Sequence, residues 1–169
     1  QAMRAADVIK TLRALVRKGE GERTWHDSRE LVRTAVGFVE PELIAPGIEI
    51  VQEHVTDLPN VQVDPIQIEQ VILNLVRNAI EAVRADSDRS KRLQIRVTTR
   101  LQAPSTVVVS VSDNGPGVDP GRVEFLFDEF YTTKDHGLGL GLSISRSIVE
   151  SHGGALWLET TSPSGTTFC

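Results

Sequence analysis

The chain has 169 residues, 40% of them hydrophobic and 24% charged, which suits one domain with a real core and excludes a disordered polymer. Its net charge of −5 argues against non-specific nucleic-acid binding, and its single cysteine, Cys169, excludes an internal disulfide framework and a cysteine metal site. No run approaches the roughly 18 apolar residues of a membrane span and no signal peptide is visible, so a cytosolic setting without direct membrane contact is expected, with a membrane-tethered parent left open.

Residues 1–19 read as a helix. Ala5, Val8, Leu12 and Leu15 follow the 3-4-3 spacing of a packing seam, Ile9 and Val16 widen it, and Gly19 and Gly21 end it. On pattern alone it is either a helix lying on its own domain or half of a dimerisation hairpin. Gln1 opens inside this pattern and Thr166–Cys169 reads as an unfinished strand, so a fragment of a longer protein is expected. A short strand at Arg23–His26 leads to a helix at Ser28–Ile44 capped by Asp27 or Ser28. Ile48–Val55 and Val61–Val63 read as strands. Asp64-Pro65 is a strong helix start, a capping acid followed by proline at the first helical position, and the helix runs to about Ala85. Leu93–Leu101 and Val107–Val111 read as strands joined by a turn at Pro104. The glycine-rich stretch from Asp113 to Leu142 is a long, functional or mobile loop. A helix at Leu142–Ser151 stops at Gly153-Gly154, and Ala155–Thr160 with Thr166–Cys169 close a hairpin. The sum is an α/β sandwich, one mixed sheet with helices on one face. The Rossmann and P-loop signatures are missing.

Three motifs carry chemistry. Asn74 and Asn78 sit four apart and share a helix face, opposite the stripe Ile68, Val71, Ile72, Leu75, Ala79 and Val83. Asparagine is a poor helix former, so two amides here either bond to local backbone and water or present a side-chain oxygen to Mg²⁺ bridging phosphates. Asp113 ends a β-branched run and opens Asn114-Gly115-Pro116-Gly117. This is either an ordinary turn or a pocket floor where Asp113 accepts the exocyclic amine of adenine while Gly115 and Gly117 let the flat base approach. Gly137, Gly139 and Gly141 alternate with Leu138, Leu140 and Leu142 ahead of a helix. Glycine lets several N–H groups aim at an anion, and the helix adds its positive end. Ordering six residues costs about 6–12 kcal/mol, and charged hydrogen bonds return about 1.5–3 each, so this segment is expected to be mobile when empty and ordered by nucleotide. Between the glycine segments, Phe127 and Phe130 are expected to pin the lid to the core. Lys134 either reaches a terminal phosphate or is a solvated loop lysine. His26, His54, His136 and His152 show no zinc-type spacing, and His152 reads as a helix-end residue.

In combination these motifs resemble the catalytic, ATP-binding part of sensor histidine kinases, in the superfamily shared with gyrase, Hsp90 and MutL. The resemblance covers residues 23–169. Asn74–Asn78 resembles the N box, Asp113–Gly117 the first glycine box, Phe127–Phe130 the F box, Gly137–Gly141 the second glycine box and Gly165-Thr166-Thr167 the last. Phe130–Lys134 and Leu142–Arg146 are most similar to the FixL and NtrB group, and Arg4–Glu20 resembles the second helix of its dimerisation hairpin. The resemblance implies a two-layer α/β sandwich, the Bergerat ATP-binding fold, with a mixed, mostly antiparallel sheet. It implies residues 1–21 as the truncated hairpin's second helix and 22–169 as the ATP-binding domain. It assigns Mg²⁺ to Asn78, with Asn74 beside metal or phosphates, the adenine amine to Asp113, and support through water to Thr166. The ATPase branch carries a glutamate where Asn74 stands; an amide cannot act as a base, which favours phosphoryl transfer over hydrolysis. Glu69 lies on another azimuth and is a poor substitute. Some sensor kinases carry lysine where Glu81 falls, so Lys134 or Arg77 would have to serve a phosphate.

The implied function is ATP- and Mg²⁺-dependent phosphorylation of a histidine on the protein's own dimerisation domain, upstream of Gln1, for transfer to a response-regulator aspartate. The full-length protein is expected to be a homodimer with no nucleic-acid partner, and this chain to bind ATP without labelling itself. The rival readings are an ATP-driven conformational clamp and a non-catalytic nucleotide-binding docking module.

Overall fold

The computed structural model describes residues 21–43, 47–86, 91–102, 104–132 and 138–169. The expected helix at 1–19, the hairpin domain at 1–21 except Gly21, and Lys134, His136 and Gly137 lie outside the described residues.

The strand β1 (Thr24–His26) is followed by the helices α1 (Ser28–Gly37) and α2 (Glu40–Leu43), then β2 (Glu49–His54) and β3 (Val61–Val63). The long helix α3 (Pro65–Ala85) leads to β4 (Gln94–Gln102) and β5 (Thr106–Asp113). A 3-10 segment (Pro120–Phe125) precedes α4 (Gly141–Ser151), and β6 (Leu158–Ser162) and β7 (Gly165–Phe168) close the chain.

The expected helix at 28–44 is broken. Pro41 has no N–H and its ring would clash with the carbonyl of Gly37, so α1 ends at Gly37 and a new turn starts at Glu40. The one mixed sheet of the sequence reading is two sheets among the described residues. β1 pairs antiparallel with β3, while five strands run in the order β2-β4-β5-β7-β6. Within the larger sheet only β2 and β4 are parallel; the other pairs are antiparallel.

The helices pack on one face of this sheet. Leu31, Val32, Ala35 and Val36 of α1, Val71, Ile72, Leu75, Val76, Ala79, Ile80 and Val83 of α3, and Ile144 and Ile148 of α4 join Ile95, Val97 and Val111 in one core. Each fully buried valine or isoleucine contributes about 1.5–3 kcal/mol of transfer free energy. The α3 start matches its sequence signal: Asp64 Oδ1 accepts from Ile66 N at 3.0 Å and Gln67 N at 3.3 Å, with Pro65 in the first turn. His152, the C-cap of α4, ties the two helices together. Its Nε2 accepts from Asp64 N at 3.1 Å while Nδ1 donates to the Ile148 carbonyl at 2.8 Å, which gives each ring nitrogen a fixed hydrogen-bonding role.

Candidate functional site

Asp113 stands where β5 leaves the sheet, flanked by Ile95 of β4 and Thr166 of β7. The chain turns at once, and Gly115 N–H returns to Asp113 Oδ1 at 2.8 Å. Burial pushes the Asp113 carboxyl above its ordinary pKa, opposed by the backbone N–H groups of Gly115 and Thr166 and by the nearby Lys91 ammonium. Lys91 is held in turn by Asp86 at 3.3 Å, at the end of α3. A half-buried carboxylate between two glycine-rich turns is a strong, orienting acceptor for an N–H donor.

The loop beyond Asp113 is wedged between elements. Gly117 adopts φ +79°, and a Cβ there would stand 1.9 Å from the Ser162 carbonyl oxygen, so only glycine fits. Val118 N–H donates to Thr161 Oγ1 at 2.8 Å, and Thr161 Oγ1 lies 3.4 Å from the buried Thr166 Oγ1. On the other side, a Cβ at Gly115 would meet the backbone of Ala82 at 3.0 Å, so the turn rests against α3.

The second part of the site lies where α3 meets the start of α4. Asn74 Nδ2 donates to the buried Ser145 Oγ at 3.0 Å, with Oδ1 on the other side of the amide. That Oδ1 faces Gly141, where a Cβ would sit 2.7 Å away. The N-cap of α4 is Leu140, whose side chain makes no cap hydrogen bond, and the Asn74 amide oxygen stands near the helix's positive end. Asn74, Asn78 and Ala82 fall at i, i+4 and i+8, one stripe along α3 spanning about 12 Å at 1.5 Å per residue. The stripe runs from the start of α4 to the turn that holds Asp113.

The family model of the histidine kinase-, DNA gyrase B- and HSP90-like ATPases matches residues 63–169, from the end of β3 to Cys169. The chain belongs to this family. Among its relatives is the sensor protein FixL of Bradyrhizobium diazoefficiens, 39% identical over 99% of this chain and 32% of that protein. The catalytic domain of histidine kinase ThkA superposes with a TM-score of 0.74 at 36% identity, covering 87% of this chain and 92% of that one. A complex of ThkA with the response regulator protein TrrA covers 97% of this chain and 46% of that chain, with a TM-score of 0.74 at 28% identity. Full-length ShkA in complex with AMPPNP covers 98% of this chain and 34% of that chain, with a TM-score of 0.80 at 27% identity. The chain spans a third or less of the length of the first curated relatives it matches.

As a histidine kinase-type ATPase domain the chain shows the fold expected of it, helices over one face of a mostly antiparallel sheet. The structure brings Asp113, Gly115, Gly117 and Thr166 together at the sheet end, and Asn74 with Gly141 at the start of α4. Asn78 lies half-buried one turn further along α3. Leu140 and Leu142 pack against the core, whereas Leu138 is exposed. Glu69 lies five residues before Asn74 on α3, where burial raises its carboxyl pKa, with the His26 and Asp64 charges acting beside it. Among the described residues no group of three or more His, Cys, Asp or Glu could hold a metal ion, and no helix is long and apolar enough to cross a membrane.

The expected pair of phenylalanine anchors is only half present. Phe127 does anchor its segment, packing edge-on against Phe168 at 6.2 Å under the Arg146 guanidinium at 5.3 Å. Phe130 does not: it is 71% exposed, at φ 65°. The chain turns left-handed at Phe130 to bring Tyr131 onto Phe125 at 5.7 Å, and that turn throws the Phe130 ring outward. Sequence reasoning also missed Ser145, Thr161 and Ala82, which hold the site residues. Ala82 left a signal as the next step of the Asn74–Asn78 spacing, and Ser145 lay within the Leu142–Arg146 stretch without a role assigned to it.

Proposed function

We propose that this chain binds Mg-ATP along the Asn74–Asn78–Ala82 stripe and presents the γ-phosphoryl group to a histidine on the protein's own dimerisation domain. The observation that carries the reading is this stripe on α3. One end meets a half-buried carboxylate, the other an amide oxygen beside the first residue of α4. Asp113 accepts the adenine amine, with Thr166 beside it supporting the base through water. Glycines 115 and 117 keep the base edge clear, the Gly137–Leu142 sequence would supply N–H groups to the triphosphate, and Lys134 would serve its terminal phosphate. Oxygen donors from asparagine suit a hard cation, and a magnesium ion that keeps most of its waters needs few protein ligands. Asn78 would hold it, with Asn74 Oδ1 beside it; when bound, it neutralises charge on the phosphates. The remaining work is positioning and electrostatics. Asn74 cannot take a proton from water, which favours transfer to a side chain over hydrolysis.

Complexes of relatives with AMPPNP and with a response regulator support the same reading here: nucleotide first, then onward transfer to a response-regulator aspartate. The full-length protein would act as a homodimer through a hairpin ending near residue 21, with residues 22–169 in the cytoplasm, where ATP is available. The test supplies γ-labelled Mg-ATP and a separately made dimerisation hairpin. Acid-labile label on the hairpin is the expected result. Steady ATP hydrolysis without acceptor would indicate a conformational clamp, and nucleotide binding without labelling a docking module.

A further inference from the structure

The residue after Asp113 performs a substitution of its own. The register pairs Ile95 with Asp113, so the next rung would pair Gln94 with Asn114. In an antiparallel ladder those two residues would exchange both main-chain hydrogen bonds. One is present: Asn114 N–H donates to the Gln94 carbonyl at 3.2 Å. In the other, Gln94 N–H donates at 2.9 Å to Asn114 Oδ1, the side-chain oxygen. The side chain takes the place of its own main-chain carbonyl, and Nδ2 then donates to the Arg92 carbonyl at 2.7 Å. A backbone N–H can only donate and a carbonyl can only accept, so these partners fix which amide atom is oxygen. The sheet therefore gains a last rung while the main chain is released from it. Released, the chain turns sharply enough for Gly115 N–H to reach back to Asp113 Oδ1 at 2.8 Å.

We infer that Asn114 is a positioning residue for purine selection: its amide completes the β4–β5 ladder so that the backbone can peel away and aim the Asp113 carboxylate at the base. This rests on the reading of Asp113 as the acceptor of the adenine amine. In this role Asn114 acts through Asp113 and not on the ligand. Asparagine meets the requirement because it offers an acceptor and a donor on one short, planar group. Aspartate keeps the acceptor for Gln94 but turns an oxygen toward the Arg92 carbonyl, and alanine loses both bonds.

The test compares Mg-ATP with the magnesium complex of purine riboside triphosphate, which lacks the exocyclic amine, by calorimetry on the full chain. The parent should prefer ATP. Asn114→Ala should shrink that preference about tenfold, the scale of one hydrogen bond, leaving purine riboside triphosphate bound within about twofold. Asn114→Asp keeps the Gln94 bond, so it remains folded if the alanine variant does not, and it should also lose preference for ATP. A parallel loss of both nucleotides would make Asn114 merely structural and overturn the inference, as would an unchanged ratio in folded protein. Asp113→Asn separates the two ideas. If it retains the parent's preference, the pocket reading itself fails. If it abolishes the preference while the Asn114 variants keep it, only the positioning role fails.

Discussion

Replacing Gly117 with alanine tests whether the purine-side loop is wedged as tightly as its geometry says. Two costs add. At φ +79° a side chain is strained by about 1–2 kcal/mol. The new methyl would also stand 1.9 Å from the Ser162 carbonyl oxygen and 2.7 Å from its carbon, where real Cβ atoms do not come under 3.0 Å, so the loop and β6 must part by about an ångström. Overpacking of that kind costs about 1–3 kcal/mol. The expected total is about 2–5 kcal/mol, a melting temperature lower by roughly 4–20 °C for a domain of this size. Because the same loop carries Gly115 and braces Asp113, ATP affinity should fall with it. Urea denaturation gives the stability and calorimetry the affinity. Gly37→Ala is the control, since nothing lies within 4 Å of its Cβ position in α1; it should be neutral or stabilise by up to about 1 kcal/mol. A Gly117→Ala protein within about 0.5 kcal/mol of the parent, with unchanged affinity, would refute the wedge.

Burial raises the Asp113 pKa, so its proton stays on to a higher pH than on a free aspartate near 3.9. Since the carboxylate accepts an amine more strongly than the protonated acid does, ATP affinity should drop as the solution is acidified through that raised pKa, and in Asp113→Asn the slope should vanish along with most of the binding. Gly141→Ala should press a methyl onto Asn74 Oδ1 while improving helix propensity by about 1 kcal/mol. Phosphoryl transfer to a supplied hairpin should therefore fall without loss of melting temperature. Ser145→Ala should free the Asn74 amide to rotate and weaken nucleotide binding several-fold, measurable by the same calorimetry. His54 is pushed below its ordinary pKa, chiefly by burial and then by Arg33 and Arg29, while bonded to Thr99 Oγ1 at 3.0 Å. The unfolded chain then takes up the proton first, so stability should fall as pH drops through about 6.5. Replacing His54 with glutamine should flatten that dependence in denaturation curves.

Local chemistry was enough to read much of this protein from its residues. Asp64-Pro65 marked the start of α3 because a capping carboxylate and a proline each suit one position of a helix start. The 3.6 period gave the buried stripe of α3 and the shared face of Asn74 and Asn78. The motifs, in order, named the family. What the linear pattern could not carry was pairing between distant segments. The separate β1–β3 sheet, the outward turn of Phe130, the Ser145 bond to Asn74 and the Ser162 wall against Gly117 each depend on residues far apart in sequence, or on how the chain packs beyond a local turn. Asn114 shows the division within one residue. Its type is written in the chain as an ordinary turn former, but whether its amide serves the turn or the neighbouring strand was decided only when β4 came alongside with one N–H and one carbonyl to satisfy.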